Sequence, residues 1–170
     1  MKREILKYPD PKLSKVSEPV YVTEFDDELL ALATDLRETM LAANGAGLAA
    51  PQIGILRRVI AIRGDNDDKT VPPLVLVNPV ITSKSNNRKL MREGCLSFPG
   101  IFEMVMRSLK VDVDYFTPQG EYVTARFKGL QAHAIQHEVE HLDGHLLSDN
   151  MTFERTSQLM EEMRRAFTVR

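Results

Sequence analysis

All four histidines of the chain, His133, His137, His141 and His145, stand at intervals of four residues in one short stretch. In a helix a step of four residues turns by about 400°, so each ring sits one turn beyond the last with about 40° of drift. The inner part reads His137-Glu138-Val139-Glu140-His141, an HExxH pattern in which two imidazoles on adjacent turns converge on one metal ion. Glu138 lies about 100° around the helix from His137, so it flanks such an ion without being forced to bind it. That is the position of a base acting on water. Leu130, Ala134, Ile135 and Leu142 supply apolar neighbours for packing, and Gly144 suits the C-terminal cap. Glu140 reads as a carboxylate that orients a neighbour, His133 as a lining or core residue, and His145 as a structural residue beyond the helix.

Two histidines leave a site of this kind one protein ligand short. Cys95, in Arg92-Glu93-Gly94-Cys95-Leu96-Ser97, is one candidate, because thiolate binds borderline-soft divalent ions well. Glu161, twenty residues beyond His141, is the other, and spacing alone does not choose between them. Glu93 is placed to accept a hydrogen bond beside the site or to anchor a basic residue. As the single cysteine, Cys95 permits no intrachain disulfide, so no oxidising compartment is implied.

The rest of the chain predicts a frame for that helix. Pro9, Pro11 and Pro19 make the opening an extended arm. Thr23 is a candidate cap for a helix whose apolar face runs through Phe25, Leu29, Leu32, Leu36, Met40 and Ala43 to end at Asn44-Gly45. Its acids Asp27, Glu28, Asp35 and Glu38 read as the solvated side. Short strands are expected at Val59–Ile62, Leu74–Val77, Phe102–Met106, Leu109–Tyr115 and Tyr122–Phe127. The stretch from Thr82 to Lys89 reads as a loop, and Thr117-Pro118-Gln119-Gly120 as a turn. A last amphipathic helix is expected from about Glu154 to Ala166. Without regular βα alternation, an α+β fold in one domain over residues 1–170 follows.

Several function classes fall away. A formal charge of −2 argues against a protein that coats nucleic acid or reads it by sequence. No apolar run of about 20 residues is present to span a bilayer, and no secretion signal opens the chain, so a cytoplasmic setting is expected. Asp65, Asp67 and Asp68 lack the glycine and closing glutamate of a calcium loop. No lysine completes a phosphate-binding loop at Gly45–Gln52.

Three segments together carry a resemblance. Gly45-Ala46-Gly47-Leu48-Ala49-Ala50-Pro51-Gln52 fits GxGLAAPQ, Glu93-Gly94-Cys95-Leu96-Ser97 fits EGCLS, and Gln136–Gly144 fits QHExDHLxG with Glu140 for the usual aspartate. In this order they resemble the peptide deformylase family, and the arm from Ile5 to Val20 resembles its amino terminus. The resemblance implies antiparallel sheets packed around a central helix that bears HExxH. It implies Cys95, His137 and His141 as ligands of one divalent ion, ferrous iron natively, with zinc, nickel or cobalt able to occupy the site. It implies Glu138 as general base, with the Leu96 N–H and the Gln52 amide as donors to a developing oxyanion, and N-formylmethionyl peptides as substrate. The peptide backbone would pair near Ala46 and Gly47. Its methionine side chain would lie among Leu130, His133, Ala134 and His137, with Phe102 at the mouth. Phe102 replaces a commonly polar residue and His133 a usually aliphatic one, which predicts an apolar rim and one polar wall.

Two other readings remain at this point. A general metallopeptidase would need Glu161 as ligand and a wide cleft, and a silent binding module would hold formyl peptide without releasing formate. Arg155, Arg164, Arg165 and Arg170 alternate with Glu154, Glu161 and Glu162, more as a solvated helix than a basic patch, with a transient ribosome contact left as an expectation.

Overall fold

The computed structural model describes residues 1–64 and 71–168, with side chains through 165. The acidic loop weighed for calcium, Asp65, Asp67 and Asp68, lies outside the described residues, as does Arg170. Seven strands and three α-helices are described, in the order α1 (Asp27–Ala42), β1 (Gly47–Ala49), β2 (Val59–Ile62), β3 (Leu74–Lys84), β4 (Arg88–Cys95), β5 (Phe98–Ser108), β6 (Lys110–Phe116), β7 (Tyr122–Lys128), α2 (Gly129–Leu142) and α3 (Phe153–Thr168). Strands β1-β2-β3-β6-β7 form one antiparallel sheet, and β4-β5 form a separate hairpin. This is the α+β arrangement that the strand and helix patterns predict.

The histidine helix α2 packs its Ala132, Ile135 and Leu142 against Ile60, Ile62, Leu76, Val111 and Val113 of the large sheet. The alternating burial of β6 sends Val111, Val113 and Tyr115 to that face. Leu29, Leu36 and Met40 of α1 pack with Leu48, Val59, Ala61 and Val77. Leu36 is fully buried, so truncating it to alanine should cost about 2–5 kcal/mol. A third cluster joins Leu13 of the arm, Phe98, Ile101 and Val105 of β5, and Leu159 and Met163 of α3. Tyr8 stacks on Phe98 with ring centroids 4.8 Å apart.

The opening residues do form an arm across the domain, held by backbone hydrogen bonds from Leu6 to Gln52 and from Tyr8 to Ser97. Asn78, at φ 50°, interrupts β3 and clasps Val20 through both its backbone N–H and its carbonyl. Three expectations need correction. Asp26, not Thr23, caps α1 by accepting from the N–H groups of Glu28 and Leu29, because residues 22–24 are already a 3₁₀ turn. Asp35 is buried rather than solvated, pairing with Arg3 and the amino group of Met1. The polar stretch after Thr82 is mostly strand, since β3 runs to Lys84 and β4 starts at Arg88. Half-exposed strand faces tolerate polar residues, which hid both ends.

Candidate active site

The site forms where α2 passes behind the end of β4. His137 and His141 are buried one turn apart, their rings 4.8 Å centroid to centroid and nearly perpendicular. The hairpin register shifts between Gly94 and Cys95, which turns Cys95 inward until its Sγ lies 3.2 Å from Nε2 of His141. One donor atom each from Cys95, His137 and His141 lie within 4.8 Å of one another. Two nitrogens and a sulfur, all buried, suit a borderline divalent ion in a site with one position left open. Further support comes from a polar atom at the site with nothing to bond: Glu138 Oε2 is buried without a protein partner, which is costly unless something else visits it. These residues therefore fit a divalent metal. Glu161, the rival ligand, instead sits half-exposed on α3 and pairs with Arg164 and Arg165.

Glu93 organises the surroundings. Its Oε1 is 2.5 Å from Nδ1 of His137 and accepts from Nη2 of Arg107 at 2.7 Å. Its Oε2 is 2.6 Å from Nε2 of His133 and accepts from Nε of Arg107 at 2.9 Å. Engaging His137 through Nδ1 leaves Nε2 for an ion and fixes the ring. Burial alone would raise the pKa of Glu93, but hydrogen bonds from His133, His137 and Arg107 hold it well below the usual carboxylate range. Arg107 reaches on to both oxygens of Glu140, at 2.8 Å from Nη2 to Oε2. So Glu140 orients a neighbour, as its type suggested. Arg107 itself had no motif to announce it; a charged residue at an inward position of an apolar strand was the only signal.

Burial pushes the carboxyl of Glu138 up to about 7. Gly47 of β1 lies against it, so close that a Cβ would enter the carboxylate. Gln52 is almost wholly buried, accepts from the N–H of Ala49 at 2.9 Å, and turns its amide to Ser97 Oγ at 3.1 Å and Cys95 Sγ at 3.5 Å. Lys7, from the arm, donates to the carbonyl of Leu96 at 2.7 Å and fixes that peptide plane, a contribution not legible from the sequence. In front of these groups lies a cleft of about 500 Å³. Ala46, Gly47, Leu96, Phe102, Leu130, His133 and Ala134 all line it, together with Cys95, His137 and Glu138. Gln52 is not in its wall and reaches the site from behind. His145 is exposed, beyond Gly144 at φ 78°.

Comparison with known proteins agrees with this geometry. The family model described as polypeptide deformylase matches residues 2–157. A peptide deformylase of Phenylobacterium zucineum is 41% identical over 163 residues, covering 96% of this chain and 95% of that protein. The crystal structure of a peptide deformylase from Legionella pneumophila superposes with a TM-score of 0.88 at 35% identity, covering 100% of this chain and 99% of that one. A Met-Ala-Ser bound crystal structure of a class I type b peptide deformylase from Acinetobacter baumannii gives 0.81 at 37%, over 89% of this chain and 99% of that one. With the family model matching residues 2–157 and relatives alike in sequence and fold over nearly the full length, the chain belongs to the polypeptide deformylase family.

Proposed function

We propose that this chain, acting as one catalytic domain, removes the N-formyl group from N-formylmethionyl nascent polypeptides and releases formate. The observation that carries the reading is the cluster of Cys95, His137 and His141 beside a buried Glu138 at the back of a cleft wide enough for a peptide end. Cys95, His137 and His141 would hold one divalent ion, ferrous iron in the cell, with zinc, nickel or cobalt able to replace it. When bound, the ion supplies Lewis acidity and lowers the pKa of water.

The chain's own residues do the rest. Glu138, buried beside the three ligands, takes a proton from the attacking water and returns it to the departing amine. The Gln52 amide and the Leu96 N–H donate to the oxygen of the former formyl carbonyl as negative charge gathers there. Glu93 keeps His137 in one tautomer and one orientation. Among the described residues, strand β1 pairs with one other strand, β2, and on its far edge the N–H of Ala49 is taken by Gln52 Oε1. Its other edge would take the substrate backbone as an added strand near Ala46 and Gly47. The first side chain would then enter the recess between Leu130, His133 and Ala134, with Phe102 at the rim. The Met-Ala-Ser peptide held by the Acinetobacter relative has the sequence expected of a product.

No described helix is long and apolar enough to cross a membrane, in keeping with action in the cytoplasm. Arg155 pairs with Glu103 and Glu162, and Arg165 with Glu161, and a transient ribosome contact through this helix is tested by cosedimentation of the folded chain with ribosomes. The direct test is anaerobic purification, bound metal per chain, and formate release from formyl-Met-Ala-Ser. Near one ion per chain with rapid release supports the reading, and Cys95→Ala should lose both. A folded, metal-loaded chain that releases no formate would sink it.

A further inference from the structure

The outer face of the β4–β5 hairpin carries an apolar stripe. Strand alternation sends Ile101 and Val105 into the core, and turns Phe102, Met104 and Met106 outward at 47%, 52% and 46% exposure. Directly across the ladder stand Gly94, Arg92 and Leu90, and Leu90 is 49% exposed. Partners opposite each other share a face, so Phe102, Met104, Met106 and Leu90 form one row. Single exposed apolar residues are ordinary, but a contiguous row rimmed by charge marks an interaction surface. Arg92 supplies part of that rim, its guanidinium 3.9 Å above the ring of Phe102, and the exposed Arg88 of the same strand face continues it.

The row is continuous with the cleft. Phe102 and Arg92 belong to the cleft wall, and Leu130 beside them is 36% exposed. We propose that the stripe receives the apolar stretch of the substrate polypeptide that follows its first three residues, an inference that rests on the deformylase reading. A polypeptide whose first residue occupies a cleft of about 500 Å³ must leave across its mouth, and at Phe102 the surface it meets is this row. Methionine suits the task, because an unbranched, polarizable side chain adapts to many sequences. Contacts equal in the ground and transition states appear in KM rather than kcat, and the proposal takes those of the stripe to be of that kind.

The test uses the metal-loaded enzyme and three substrates. One is formyl-Met-Ala-Ser; the others extend it to nine residues, either with Leu-Val-Phe-Leu-Lys-Lys or with Ser-Gly-Ser-Gln-Lys-Lys. The apolar nonapeptide should show a KM roughly tenfold below the other two at similar kcat. In a Met104→Ser, Met106→Ser double variant all three KM values should coincide, with tripeptide kinetics unchanged and so reporting an intact fold. Equal KM for the two nonapeptides, or a preference that survives the double variant, overturns the proposal. So does a concentration-dependent dimer dissolved by the double variant, which would give the stripe to a second copy of this chain. Absence of formate from the tripeptide itself would instead overturn the deformylase reading beneath it.

Discussion

A Cβ on Gly47 would lie 2.7 Å from Cγ of Glu138, well inside contact distance. Strand β1 and helix α2 therefore approach as closely as they do only because residue 47 has no side chain. Gly47→Ala should push Glu138 off its position and lower kcat by about 100-fold, since a displacement near 1 Å has that effect on a catalytic group. Bound metal per chain should stay near the wild-type value. Loss of the ion in step with the rate would instead mean that the whole helix has moved.

Gln52 offers a cleaner separation of rate from binding. Its amide nitrogen faces Cys95 and Ser97, while its Oε1 holds the N–H of Ala49. Gln52→Ala should reduce kcat by about 10²–10³-fold with KM changed far less, as for loss of one oxyanion donor. Steady-state kinetics on formyl-Met-Ala-Ser decide it. A change confined to KM would remove Gln52 from the list of catalytic groups.

Arg107 spans two acids, the buried Glu93 and the partly exposed Glu140. Removing the cation strands a buried charge, so Arg107→Met should lower the unfolding free energy by about 3–5 kcal/mol. Glu140→Asp keeps the charge and shortens the reach by one methylene, and should cost less than about 1 kcal/mol because its site is half open. Urea denaturation of the two variants against wild type gives both numbers. Equal costs would show that Glu93 does not depend on Arg107.

Removing the metal should uncover the titration of Glu138. Its pKa in the folded chain is raised from 4.5 to about 7 by burial, so the folded state holds a proton that the unfolded state has released. The stabilisation is complete below about 4.5 and is lost as pH rises toward 7, after which the curve levels. Metal-free Glu138→Gln should lack that decline. Thermal melts of both proteins across pH 5–8 measure the difference.

His133 brings a polar edge to the cleft where the proposed reading puts the substrate's methionine, with Nε2 committed to Glu93. His133→Ile should make the wall apolar and improve norleucine substrates over methionine ones by several-fold in kcat/KM. Competition between formyl-norleucyl and formyl-methionyl peptides reads this ratio directly. An unchanged ratio would show that the imidazole faces Glu93 and not the substrate.

Helix α2 was legible because three features coincide in one segment: histidines four residues apart, the apolar Ala134, Ile135 and Leu142 for packing, and a glycine to stop it. Cys95 could not be chosen over Glu161 from spacing, because the contact to His141 is made by a register shift in a hairpin forty-six residues away. The same holds for Arg107, whose partners come from β4 and α2. Asp35 was misplaced because helical periodicity reports faces, and the arm residue Arg3 that covers it lies far away in sequence. Strand limits around Thr82–Arg88 were hidden by polar residues on an exposed face.

The unpaired side of β1 has a cost beyond catalysis. A bare strand edge is a template for any extended chain, including another unfolding protein, and long flat edges invite aggregation. Here the strand is three residues long, Gly47–Ala49, its last N–H is already taken by Gln52 Oε1, and the chain turns at once into the 3₁₀ helix Ala50–Ile53. Such a short ladder gives too few hydrogen bonds to capture a random strand. On the proposed reading only a chain end that also reaches the buried groups behind it would stay, so brevity of the edge would guard the protein against its own openness.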